Sequence, residues 1–143
     1  MIFSKKYVPK SLSRRDKTKQ RKELIKSKKN YKTKKGKQKY YTRGKLKSYK
    51  NKSSSWTKQF HKLYPDAKSY SEISKATGIP SGALKAVVRK GKGAYFSSGS
   101  RPNQTATSWG RARMYSYILG GKTRKVDKHI TIKYNVKFKH RTK

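Results

Sequence analysis

The segment from Ser69 to Gly121 constrains the fold most, because it is the part of the chain that is able to fold on its own. Ser69 and Glu72 match a capping box, in which a hydroxyl and a carboxylate satisfy backbone N–H groups at the start of a helix. Gly78 predicts the end of that helix, since glycine adopts the left-handed conformation without a Cβ penalty. Residues 70–90 are therefore predicted to form a helix-turn-helix unit.

The second helix of this unit has an apolar face and a cationic face. Ile79 is expected to fill the turn and Ser81 to cap the helix, whose apolar residues then recur at spacings of three and four. In DNA-binding proteins such a helix enters the major groove. Its outward residues here would give phosphate contacts and one or two base-edge donors. A packing unit without a ligand shows the same pattern, so the motif leaves both interpretations open.

Glycine and serine are frequent in residues 91–103, which predicts a loop, and residues 104–119 predict a further helix. The residues that carry a family resemblance lie here: Ser97-Ser98-Gly99-Ser100-Arg101-Pro102, Ser108-Trp109-Gly110-Arg111-Ala112-Arg113, Gly120-Gly121-Lys122-Thr123 and Asp127. Together they resemble a small domain of unassigned function found in basic proteins of large double-stranded DNA viruses, of the algal-virus type, and of some phages. The resemblance covers roughly residues 66–130. It implies a virion protein and brings no established activity, so no functional residue is carried over.

The charge balance predicts an anionic partner. There are 42 Lys and Arg against 5 Asp and Glu, a formal net charge of +37, while 31% of the residues are apolar. Self-repulsion on that scale disfavours an isolated compact monomer. The partner is expected to be nucleic acid, an anionic membrane surface or an acidic protein surface. The 32 lysines outnumber the 10 arginines, which favours sequence-independent phosphate neutralisation over base readout.

Residues 1–52 are predicted to be a basic N-terminal arm with one polar helix. Ser13 and Asp16 mark the start of that helix, which extends to Asn30. Its sizeable apolar residues are Leu24 and Ile25, so we expect the helix to form mainly when phosphates screen its charge. The low-complexity stretch that follows interleaves lysines with tyrosines, a pattern suited to flexible nucleic acid, although a solvated tail is the alternative. The candidates for base stacking are Tyr31, Tyr40, Tyr41 and Tyr49.

Residues 53–128 are predicted to be a helical domain built on the helix-turn-helix unit, and residues 129–143 a C-terminal strand and basic tail. Within the domain, apolar residues recur at helical spacing and are expected to pack on that unit, namely Trp56, Phe60, Leu63 and Tyr64. In the tail, apolar residues alternate with polar ones, which predicts a strand. Its partner would be residues 1–10, a second copy of the chain or another protein's sheet edge, and we favour an intermolecular role. The residues of this interface strand are Ile130, Ile132, Tyr134, Val136 and Phe138.

No enzymatic site is predicted, and no catalytic, cofactor-binding or metal-binding residue is assigned. The five carboxylates are scattered, the three histidines show no ligand spacing, and cysteine is absent. Asp127 is expected to pair with the basic loop at 122–125. No stretch is long and apolar enough for a signal peptide or a membrane span, so synthesis as a soluble intracellular protein is expected.

The sequence thus favours a mainly α fold and a structural virion protein, a minor capsid or internal capsid-associated component. It would bind neighbouring capsid proteins, packaged double-stranded DNA, or both, within a large assembly and without a small-molecule substrate. The alternatives are a non-specific DNA-binding or genome-condensing protein, a helix-turn-helix regulator, and a ribosomal-type RNA-binding protein. The candidate polyanion contacts are Arg14, Arg15, Lys17, Arg21, Lys22, Lys28, Lys29, Lys34, Lys35, Lys85, Arg89, Lys90, Arg101, Arg111 and Arg113.

Overall fold

The computed structural model describes residues 3–32, 41–51 and 54–143, which are mainly helical and contain no β-strand. Its helices are α1 (Arg14–Tyr31), α2 (Ser55–Leu63), α3 (Tyr70–Thr77), α4 (Ser81–Ser97), α5 (Ala106–Leu119), α6 (Thr123–Val126) and α7 (Lys128–Lys133). They form two compact units. Unit 1 comprises Met1–Lys52 and Lys92–Trp109, and unit 2 comprises Ser53–Gly91 and Gly110–Lys143.

Helix α1 of unit 1 begins where the sequence predicts, with the Ser13 hydroxyl accepting a hydrogen bond from the backbone of Asp16. The helix is partly buried, contrary to the expectation that burial cannot hold it, whereas its dependence on phosphate screening stays a prediction. Leu24 is buried in a small cluster with Val8, Leu12 and Leu46, and further buried side chains of the helix lie on the same face. Because buried positions recur at spacings of three and four, α1 has a narrow inner stripe that packing can hold.

Unit 2 contains the predicted helix-turn-helix unit, formed by α3 and the first part of α4. Both bonds of the capping box at Ser69 are present, and Gly78 ends α3 in the left-handed conformation with φ of 74°. Ile79 is buried in the turn. Helix α4 begins at Ser81, and the Pro80 carbonyl already accepts a hydrogen bond from the backbone of Leu84. Ser81 is therefore the first helical residue and not the cap.

Helix α4 extends to Ser97, so the prediction of a loop from residue 91 was wrong. Tertiary packing explains the difference. A Cβ atom on Gly91 would lie 2.6 Å from the Cα atom of Gly110 in α5, so the glycine permits a close approach of two helices. Farther along, Tyr95 is completely buried in unit 1. Burial and close approach outweigh the roughly 1 kcal/mol that each helical glycine costs.

The C-terminal strand predicted over Ile130–Phe138 is not formed. Ile130 and Ile132 lie in α7 with side chains 3% and 71% exposed, and Tyr134 follows the end of that helix. Val136 is buried and Phe138 packs against the core in an irregular segment that pairs with no strand of the described chain. A lone strand would leave its N–H groups unpaired, whereas α7 satisfies them within the helix.

The stripe predicted on α2 is confirmed in part. Phe60 is buried, Trp56 and Tyr64 pack against the core at its edge, and Leu63 is 56% exposed. Downstream, α5 ends at two glycines that the packing requires. Gly120 has φ of 94°, and a Cβ atom on Gly121 would collide with the hydroxyl of Ser116.

Candidate nucleic-acid interface

The outer side of α1 carries a dense group of exposed cations in unit 1, which we call the α1 surface. It consists of Arg14, Arg15, Lys19, Arg21, Lys22, Lys26 and Lys29. The helix spans 18 residues, or about 27 Å at 1.5 Å per residue. The predicted contacts Lys17 and Lys28 are half-buried on the same helix, whereas Lys34 and Lys35 lie outside the described residues.

A second group of cations lies on unit 2, on the outward side of α4. This α4 surface consists of the exposed side chains of Lys85, Arg89 and Lys90. Arg111 is half-buried, with its guanidinium carbon 6.0 Å from the centre of the Tyr70 ring. Arg101, also half-buried, belongs to unit 1. The structure thus leaves most of the described candidate contacts accessible to solvent.

Arg113 is used inside unit 2. Its guanidinium donates hydrogen bonds of 2.9 and 2.7 Å to the two carboxylate oxygens of Asp127, which is completely buried. The expectation that Asp127 pairs with the basic loop at 122–125 was therefore wrong. This bidentate contact is the one ion pair among the residues that the structure describes. Arg113 holds α5 against the start of α7 and has little capacity left for a phosphate.

The other acidic side chains on helices are also occupied by local contacts. The Asp16 carboxylate accepts hydrogen bonds from the hydroxyl and the backbone N–H of Ser48, which lower its pKa. Hydrogen bonds from Ser69 lower the pKa of Glu72 in the same way. Glu23 accepts a hydrogen bond from Tyr41 and thereby raises the pKa of that phenol. Each of these carboxylates accepts a hydrogen bond from a neutral donor.

Three of the four candidate stacking tyrosines are described, and all three are half-buried within unit 1. The Tyr31 ring stacks on Phe96, with centroids 6.3 Å apart and planes inclined by 13°. The ammonium of Lys26 lies 4.6 Å from the centre of the Tyr41 ring, and Tyr49 packs against the cluster around Leu24. Tyr40 lies outside the described residues. Base stacking by these tyrosines stays a prediction, and the described rings already have protein contacts on part of their surface.

Sequence reasoning missed two buried arginines that organise the units. In unit 1, Arg43 donates to the Tyr95 carbonyl at 2.7 Å and the Ser100 hydroxyl at 2.6 Å, and its guanidinium lies 3.8 Å from the Tyr95 ring centre. Desolvation lowers its pKa. Arg43 also donates to the Ser27 hydroxyl of α1 at 3.1 Å, so these contacts tie residues 41–51 to α1 and to the end of α4. Nothing in the local sequence distinguishes Arg43 from the lysines around it.

In unit 2, Arg124 binds the C-terminal end of α5. Its guanidinium donates to the carbonyls of Tyr117 and Ile118 at 2.8 and 2.7 Å, and to the His140 carbonyl at 2.7 Å. It also lies 3.7 Å from the ring centre of Phe138. The position of an arginine five residues after the end of a helix is a signal that could have identified it, because cations favour unpaired C-terminal carbonyls.

Among the described residues, no group of three or more His, Asp or Glu side chains could hold a metal ion. No described helix has the length and apolar character needed to cross a membrane.

Comparison with known proteins gives a family without an assigned function. No curated protein matches the chain, and no solved structure does. The model of a family of unknown function, DUF5824, matches residues 4–136. That match includes α1 to α7, with both cationic surfaces and both buried arginines. The chain therefore belongs to the family of unknown function DUF5824.

Proposed function

We propose that this protein is a structural, non-enzymatic component of a virus particle that binds packaged double-stranded DNA through its phosphates, without reading sequence. One observation carries the proposal. The chain has 42 Lys and Arg against 5 Asp and Glu, a net charge of +37, so its acidic residues are too few to neutralise its cations. DNA presents one negative charge about every 1.7 Å of helix axis and is an anion of matching density.

The nature and position of the cations support phosphate contact over base readout. Lysine is a compact, strongly hydrated charge that neutralises phosphates, whereas guanine recognition favours the planar fork of arginine. On the α1 surface the arginines and lysines cover an exposed face over the length of an 18-residue helix. The viral setting is supported by the Ser-Gly-x-Arg-Pro and Trp-Gly sequences and their resemblance to a small domain of unassigned function found in basic proteins of large double-stranded DNA viruses and some phages.

A sequence-reading protein is the second candidate, because the helix-turn-helix unit is present. The second helix of that unit, α4, exposes Lys85 and Arg89 on its outward side. Arg89 is the one side chain of the pair that could bind guanine in a bidentate manner. With so few base-reading groups on the helix, we place this function behind sequence-independent binding.

Substitutions on the α1 surface test the proposal. Arg14, Arg15 and Arg21 are changed together to glutamine, and a matched triple change to lysine keeps the charge. Because each lost phosphate contact reduces the slope of log K against log salt by about 0.9, the glutamine variant should lose about 2–3 units of slope for duplex DNA. The lysine variant should keep the wild-type slope. Equal slopes for all three proteins would contradict binding through α1.

The viral part of the proposal needs a separate experiment. Purified particles are treated with nuclease and then washed at high salt, and the protein is quantified in the shell and soluble fractions. We expect the protein to be present in particles and to leave with the digested DNA. Retention in the shell would assign it to capsid neighbours instead of DNA, and absence from particles would refute a structural virion role.

A further inference from the structure

An open groove lies beside the turn of the helix-turn-helix unit, entirely within unit 2. Its volume is about 280 Å³, and its lining residues are Tyr70, Ser71, Ser74, Lys75, Ser81 and Lys85. The first four come from α3, and the last two come from the first turns of α4. No aspartate or glutamate lines it. The groove is thus a concave surface whose polar groups are hydroxyls and ammonium ions.

The polar side chains of this groove are not paired with an acidic side chain of the described residues. None of the three serine hydroxyls makes a side-chain hydrogen bond with a described residue, and neither Lys75 nor Lys85 has a described carboxylate within 4.0 Å. The nearest acid in sequence, Glu72, is bound to the backbone of Ser69 at 3.1 Å. The lining therefore offers five donor groups, three hydroxyls and two ammonium ions, and donors of these kinds are the ones that bind a tetrahedral oxyanion.

The ring of Tyr70 orients the cationic side of the groove. The ammonium of Lys85 lies 5.8 Å from the ring centre, and Arg111 lies 6.0 Å from the same centre. Cations within about 6 Å of an aromatic ring are attracted to its face. Two cations therefore share one aromatic ring, and this holds Lys85 at the groove although its side chain is exposed.

We infer that this groove binds a backbone phosphate of duplex DNA, with Lys75 and Lys85 supplying charge and Ser71, Ser74 and Ser81 supplying hydrogen bonds. The inference rests on the proposed function and extends it, since it assigns a phosphate subsite that joins Lys85 of the α4 surface to residues of α3. Placed there, a phosphate would fix the position of the helix-turn-helix unit on the duplex without reading a base.

The first test removes the charge. The double variant Lys75→Ala/Lys85→Ala is compared with Lys62→Ala/Lys125→Ala, which removes two exposed lysines of unit 2 outside the groove. At about 0.1 M salt, one lost phosphate contact weakens duplex binding on the order of 10-fold and reduces the salt slope by about 0.9. We expect this loss for the groove variant and less than 2-fold weakening for the control. Equal losses would refute a localised site.

The second test keeps the charge. Ser74→Ala/Ser81→Ala removes two hydroxyls, and Ser98→Ala in unit 1 is the control. Hydrogen bonds to a phosphate predict about 3- to 10-fold weaker binding with an unchanged salt slope. Wild-type affinity for the double variant would overturn the inference. Circular dichroism of each variant shows whether the helices are retained.

Two further outcomes separate this inference from the proposed function. If the wild-type protein does not bind duplex DNA, the proposed function fails. If wild-type DNA binding is normal and the groove variants bind as tightly as their controls, the groove inference alone fails. Titration with inorganic phosphate at constant ionic strength distinguishes a site for free phosphate from a site for a phosphate of the DNA backbone. Phosphate binding that the groove substitutions abolish, combined with unchanged DNA affinity, would assign the groove to free phosphate and overturn the backbone assignment.

Discussion

Replacing Arg124 by alanine should destabilise unit 2 by about 3–5 kcal/mol. The guanidinium donates four hydrogen bonds, to the carbonyls of Tyr117, Ile118 and His140 and to the hydroxyl of Thr142. A hydrogen bond from a charged donor contributes about 1.5–3 kcal/mol, so four additive bonds would give about 6–12 kcal/mol. Water can rehydrate the acceptors near the surface, so the smaller range applies.

Two further effects of this substitution act in opposite directions. Loss of the cation from the C-terminal end of α5 removes a favourable interaction with the helix dipole, worth about 0.3–1 kcal/mol. Removing one positive charge from a chain of net charge +37 relieves some repulsion. It also removes the cost of desolvating the Arg124 guanidinium, the burial that lowers its pKa. These contributions partly cancel, which leaves the hydrogen bonds as the dominant loss.

Urea denaturation measured by circular dichroism and by tryptophan fluorescence tests this prediction. Trp56 is a local probe, since the ammonium of Lys143 lies 5.3 Å from its ring centre in the tail that Arg124 holds. Arg141→Ala is the control, because it removes an equal charge from an exposed position in the same tail. It should change stability by less than about 0.5 kcal/mol. A loss below about 1 kcal/mol for Arg124→Ala, or equal losses for both variants, would refute the reasoning.

Three other changes have definite expected outcomes. Gly121→Ala should destabilise unit 2 by about 2 kcal/mol or more, because the new Cβ atom would collide with the Ser116 hydroxyl. Gly44→Ala should be tolerated, since the atom nearest to its Cβ would be in a lysine side chain 3.8 Å away. Urea denaturation measures both changes. Burial lowers the pKa of His140 below its ordinary 6.5, so folding favours the neutral imidazole. The stability that this contributes is present above pH 6.5 and is lost as the pH falls through the lowered pKa. The His140→Gln variant should not show this pH dependence. Leu24→Ala should lower the free energy of unfolding by about 2–4 kcal/mol and expose unit 1 to proteolysis. Leu63→Ala, at an exposed position, should lower it by less than about 1 kcal/mol. An unaffected Leu24→Ala variant would mean that α1 is not packed.

Local signals in the sequence predicted helix starts and turns well. The hydroxyl of Ser13, the capping box at Ser69 and the left-handed Gly78 all satisfy backbone groups within four residues, so their effect does not depend on the rest of the fold. The exposed cations of α1 and α4 were predictable for a related reason, because long charged side chains on a helix remain in water unless an acid binds them.

Features that depend on distant residues could not be predicted. From the sequence, Gly91 predicts the end of a helix, because its close contact with Gly110 is not visible there. Arg43 likewise resembles a surface cation, since its acceptors on Tyr95 and Ser100 are distant in sequence. The C-terminal alternation shows a partial success. Val136 does point inward, yet the segment packs on helices and finds no strand to pair with in the described chain.

The central claim is that unneutralised surface cations bind duplex DNA without sequence preference. The most direct test measures the affinity of the full chain for two duplexes of unrelated sequence at several salt concentrations. A protein that neutralises about 8 phosphates should give a slope of log K against log salt near −7, with affinities for the two duplexes within about 3-fold of each other. A slope near zero, or a preference of about 10³ or more for one duplex, would contradict the claim.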